Sequence, residues 1–184
     1  MSVNRLVGAA CAIALGIAAA SASADVMVGG SAMLPSKNIV QNAVNSKDHT
    51  TLVAAVKAAG LVDTLSSKGP FTVFAPVNAA FDALPAGTVD TLLKPENKAT
   101  LTKVLTYHVV SGRLTSTDLD ELIRKGNGTA TLTTVSGGSL WLMKNGDRNI
   151  TVKDETGAVA DINIYDVLQS NGVIYSVDRV LMPK

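Results

Sequence analysis

The chain has 184 residues, 47% of them hydrophobic, with 16 Lys and Arg against 15 Asp and Glu. That near-balance, with no basic stripe interleaved with aromatic residues, argues against a nucleic-acid partner. The single cysteine, Cys11, lies in an N-terminal stretch with the marks of an export signal, so the mature chain is expected to hold no disulfide, no thiolate nucleophile and no Cys-ligated metal.

Arg5 supplies a positive start, Leu6–Ala20 is apolar and uncharged, and Ala22-Ser23-Ala24 has the A-x-A form of a cleavage site. This layout predicts a signal peptide over residues 1–24, cleavage before Asp25, and a secreted, periplasmic or cell-surface destination. A membrane span needs ~20 apolar residues, and no later run has that length, so membrane insertion of the mature chain is not expected. Residues 25–35 (DVMVGGSAMLP) show no clear period and read as a flexible tail.

From Ser36 the pattern becomes helical. Ile39, Val40, Ala43 and Val44 share one face, and Leu52, Val53 and Val56 follow Asp48, the expected N-cap of a helix that Gly60 ends. Phe71–Ala75 has the aromatic and β-branched content of a strand that Pro76 should close. Asn78 is the expected cap of a short helix over Ala79–Leu84 that includes Phe81. Residues 95–106 (PENKATLTKVLT) start with Pro95 and Glu96 and align Leu101, Val104 and Leu105, a well-marked helix. Tyr107-His108-Val109-Val110 then reads as a short strand, and Thr117–Ile123 as a helix stopped by Gly126.

After Gly128 the period falls to two. Thr129–Val135, Ser139–Lys144, Ile150–Lys153 and Ala158–Ile164 are separated by turn signals such as Gly137-Gly138 and Asn145-Gly146, which predicts an antiparallel meander. Residues 161–172 (DINIYDVLQSNG) read as a surface connector to a closing strand, Val173–Val180. Helices followed by strands, without a repeating βαβ unit, indicate an α+β fold, and residues 36–184 read as one domain.

Catalytic chemistry is hard to find. The two histidines, His49 and His108, stand far apart, and no H-E-x-x-H, G-x-S-x-G, P-loop or Ser-x-x-Lys motif occurs. Neither an enzyme nor a bound cofactor is therefore expected. The apolar surroundings of His108 suggest a buried imidazole with a hydrogen-bond partner.

Three stretches together resemble the fasciclin domain. "FTVFAPVNAAFDALP" (71–85) is similar to its first signature, "YHVVSGRLTSTDL" (107–119) to its tyrosine–histidine segment, and "DVLQSNGVIYSVDRVLMP" (166–183) to its second signature. The resemblance covers Lys37–Pro183. It implies a β-wedge of antiparallel strands flanked by short helices, with Phe74, Pro76, Asn78, Phe81, Tyr107 and His108 as scaffold residues. Val77 departs from the family's usual threonine, and Tyr175 stands where animal members often have histidine.

The resemblance also implies cell adhesion, or binding to a protein or glycan at a surface or matrix, rather than catalysis. In animal matrix members an Asp-Ile pair before the second signature has been assigned to integrin binding, and Asp166-Val167 falls at that position. Tyr165, Asp166 and Val167 are thus the expected partner contacts, with the Asp166 side chain pointing outward; the competing reading is that Val167 and Leu168 pack while Asp166 caps a turn. The alternative reading is a small-ligand binding protein that uses a gap between the wedge and the helices.

Overall fold

The computed structural model of the protein describes residues 25–147 and 149–184; the expected signal peptide lies outside the described residues. The helical elements come mainly from the first half of the chain. They are α1 (Ile39–Ala43), α2 (Thr50–Ala59), α3 (Val62–Ser66), α4 (Asn78–Asp82), α5 (Thr88–Leu92), α6 (Lys98–Tyr107) and α7 (Ser116–Lys125). The strands are β1 (Val26–Val28), β2 (Ser31–Met33), β3 (Phe71–Pro76), β4 (Val109–Ser111), β5 (Thr129–Thr133), β6 (Ser139–Asn145), β7 (Asn149–Lys153), β8 (Val159–Gln169) and β9 (Gly172–Val177).

Strands β3 to β9 form one sheet of seven strands in the order β4-β3-β9-β8-β7-β6-β5. All neighbours are antiparallel except β3 and β9, which run parallel from Phe71↔Gly172 to Pro76↔Val177. The two sheet edges approach each other: Val110 bridges Thr134, and the Val135 N–H donates to the Val109 carbonyl at 2.7 Å. The wedge is therefore nearly a closed barrel, which leaves little unpaired edge for other chains.

Alternation along β3 and β9 divides the apolar residues between two cores. Phe74, Val173, Tyr175 and Val177 point into the wedge, where they pack with Leu140, Leu142, Ile150 and Val152. Val73, Ala75 and Ile174 point the other way, onto Ile39, Leu52, Val56 and Leu105 of the helices. A strand covered on both faces needs apolar residues at successive positions, which is what "TVFA" supplies.

Several local expectations are corrected. Residues 26–33 form a β1–β2 hairpin rather than a tail, because Val28 and Met33 are buried in the helical core. Asp48 does not cap α2: Lys47–His49 make a single 3₁₀ turn instead. Asn78 does not cap its own helix, whose N-cap is Val77 without a side-chain bond. Its Oδ1 accepts from the Thr51 N–H at 3.1 Å and the Thr50 hydroxyl at 3.2 Å, while its Nδ2 donates to the Lys47 carbonyl at 2.8 Å. Asn78 thus satisfies the N-terminus of α2 from across the fold. His108 is the C-terminal cap of α6 rather than a strand residue. Residues 161–169 are no surface connector. They belong to β8, whose register shifts between Ile162 and Ile164 and again between Ile164 and Val167 let a long strand bend beside β9.

Candidate functional site

The tyrosine–histidine segment is internal. His108 is 2% exposed; its Nε2 accepts from the Leu181 N–H at 2.9 Å, so Nδ1 carries the proton donated to the Val104 carbonyl at 2.8 Å. Burial lowers its pKa to about 4, against smaller opposing effects from that carbonyl and Asp154. The Tyr107 hydroxyl donates to the Ser139 carbonyl at 2.6 Å and accepts from the Glu155 N–H at 3.0 Å, and burial raises its pKa to about 12. The Tyr107 ring lies against Gly138, where an added Cβ would come within 2.6 Å of it. Phe74 stacks on Tyr175 with centroids 5.7 Å apart, and Phe81 is buried in the helical core. Pro76 ends β3, where it pairs with Val177.

The structure places Tyr165, Asp166 and Val167 side by side in β8, but in structural settings. Val167 is 1% exposed and packs in the helical core. Asp166 adopts φ 51°, and its carboxylate turns inward. It accepts from the Ser116 N–H at 2.7 Å and the Ser116 hydroxyl at 2.5 Å, at the first turn of α7, and from the Tyr175 hydroxyl at 3.1 Å. A carboxylate there suits the positive end of a helix. The half-buried Tyr165 accepts from the Ile150 N–H at 2.7 Å and meets Tyr175 edge-on.

Two surfaces offer room for a partner: the gap between wedge and helices that the alternative reading expects, and one that the sequence reading did not single out. The first is an apolar cavity of about 90 Å³ between the helices and the β3–β9 face. Ile39, Val40 and Ala43 of α1, Leu52, Val53 and Val56 of α2, and Val73, Val167 and Ile174 of the sheet wall it. Apart from the exposed Lys57, its polar side chains are already engaged: His49 pairs through Nδ1 with the Ser46 hydroxyl at 2.9 Å and through Nε2 with the Ser176 hydroxyl at 3.3 Å, and both nitrogens of His108 are bonded to Val104 and Leu181. Burial lowers the pKa of His49 as well.

The second is the outer face of the meander. Cross-strand register aligns Thr131, Trp141, Lys153 and Val159 in one row across β5, β6, β7 and β8. Trp141 is half-buried and Val159 is 42% exposed. Trp141, Met143, Lys153 and Lys184 also line an open groove of about 520 Å³. The sequence signal was available: Leu140 and Leu142 face the core, so Trp141 and Met143 must face out.

Similarity to known proteins covers most of the chain. The family model of the fasciclin domain matches residues 47–183. Protein sll1483 of Synechocystis is 46% identical over 145 residues, covering 79% of this chain and 73% of the relative. Immunogenic protein MPT70 of Mycobacterium tuberculosis is 37% identical over 187 residues, covering 99% of this chain and 84% of the relative. Among solved structures, a FAS1 domain pair from the insect cell adhesion molecule Fasciclin I matches with a TM-score of 0.69 at 17% identity, over 79% of this chain and 51% of that one. With the family model spanning residues 47–183 and the seven-stranded wedge matching that architecture, the chain belongs to the fasciclin domain family.

Proposed function

We propose that the protein is an exported, non-enzymatic interaction module that binds a protein or glycan at a cell surface or matrix. The observation that carries this reading is the exposed row Thr131–Trp141–Lys153–Val159 above a groove of about 520 Å³. A large aromatic ring on the solvent side of a sheet has no role in the core beneath it, and tryptophan is enriched among residues that dominate binding energy. The cell-adhesion role named for the insect protein of like fold supports the same reading, as does the leader's A-x-A pattern. We place the contact on the Trp141 row rather than on Tyr165, Asp166 and Val167, whose polar and apolar groups are already used internally. Labelled residues 25–184, applied to intact producing cells, should bind saturably and be displaced by excess unlabelled protein. Binding that does not saturate would count against the reading.

A second reading, small-ligand binding in the gap between wedge and helices, is favoured by one observation. That gap contains an apolar cavity of about 90 Å³. Close-packed interiors leave few voids larger than a water molecule, so this volume is more than packing tolerance. A thermal shift with a neutral apolar probe, 1-decanol, tests it: the midpoint should rise with concentration.

A further inference from the structure

We propose that the cavity between α1, α2 and the β3–β9 face holds the tail of a single-chain carboxylate of the fatty-acid class, with its headgroup at Lys57. The inference rests on the second reading above and adds the chemistry of the ligand. Inside the cavity no polar group is free for a guest. The nitrogens of His49 are engaged by Ser46 and Ser176, and those of His108 by Val104 and Leu181. A guest carrying a polar atom to that depth would lose its hydration without replacement, so the inserted part must be hydrocarbon. Valine, leucine and isoleucine make up most of the lining, a wall suited to a flexible chain.

The rim supplies the other half. Lys57 is the one charged residue that lines the cavity, and it is exposed. It lies in the last turn of α2, one turn beyond the half-buried Val53, and makes no salt bridge among the described residues. Its flexible stem can cover apolar surface while its ammonium stays in water. An anion held there keeps its hydration, so the arrangement suits a molecule that is apolar along its length and negative at one end. Size limits the length of tail. Apolar protein cavities of about 150 Å³ stay dry and accept benzene-sized guests. At about 90 Å³, this one matches a short run of methylenes, with the rest of a medium chain leaving through the mouth.

Calorimetric titration of residues 25–184 with octanoate, decanoate and 1-decanol tests the proposal, with a urea denaturation midpoint recorded for each variant. Decanoate should bind more tightly than octanoate, by up to about fourfold for each methylene that the cavity still accommodates. Decanoate should also bind about twofold to fivefold more tightly than 1-decanol, and Lys57→Gln should remove that difference and leave 1-decanol unchanged. Ala43→Phe, which adds a ring to the cavity wall from α1, should abolish binding of both; Val53→Trp serves the same purpose if Ala43→Phe lowers the midpoint. Equal binding of decanoate and 1-decanol, unaffected by Lys57→Gln, would keep the ligand site and overturn the carboxylate assignment. Failure of all three probes to bind would overturn the ligand-site reading itself.

Discussion

His108 and Leu181 are joined 73 residues apart in sequence: the Leu181 N–H donates to His108 Nε2 at 2.9 Å, which ties the closing segment to the end of α6. The bond requires a neutral ring, and burial holds the His108 pKa down at about 4 against an ordinary value of 6.5. Between those values the unfolded chain binds the proton and the folded chain does not, so stability falls as pH falls from about 6.5 towards 4. The loss on reaching pH 4 is about 3 kcal/mol for His108, and the lowered pKa of His49 acts in the same direction. Urea midpoints at a series of pH values should show this decline. His108→Ala should be less stable at neutral pH by a few kcal/mol and show a shallower pH dependence. A wild-type midpoint that stays level from pH 7 to 4 would contradict the assignment.

Asp166→Ala should cost about 2–4 kcal/mol, because it strands the Ser116 N–H and places alanine at φ 51°, while the Tyr175 hydroxyl keeps the Leu114 carbonyl at 2.8 Å. Asp166→Asn keeps an acceptor and a residue tolerant of that conformation, so it should cost less. Chemical denaturation of both variants measures the difference. We expect surface binding of folded Asp166→Asn to equal that of the wild type; its loss without a shift in midpoint would return the contact site to β8.

Asn78→Ala should destabilise the protein by about 1–2 kcal/mol, in the range of a lost helix cap. The damage should appear first in α2, whose Thr51 N–H loses its acceptor, and only later in α4, where Asn78 itself resides. Amide hydrogen exchange can resolve the order. Faster exchange confined to α4 would show that Asn78 acts on its own helix.

Elements governed by local pattern were legible in the sequence. The meander followed from period-two alternation and turn residues, and Gly60 ends α2 in the left-handed conformation that glycine favours. The double-sided burial of β3 followed from its unbroken apolar run. What escaped depends on contacts distant in sequence. The β1–β2 strands have three residues each, too short for a period, and only the helical core gives Val28 and Met33 a reason to pair. Asn78 looks like a local cap because nothing nearby reveals Thr50 and Thr51 as its partners. Asp166 reads as outward-facing because it is a charge between apolar Tyr165 and Val167 in an apparent connector, whereas the bulges of β8 turn it onto Ser116. The cavity has no linear signature, since its walls come from helices and strands far apart along the chain.

The central claim, an interaction surface on the outer meander, is tested most directly by comparing wild type and Trp141→Ala in the saturable cell-binding assay. The Trp141 side chain is half-exposed, so its removal should leave the denaturation midpoint within about 1 kcal/mol of the wild type, while affinity falls tenfold or more, roughly 1.4 kcal/mol or above. Undiminished binding by folded Trp141→Ala would contradict the account.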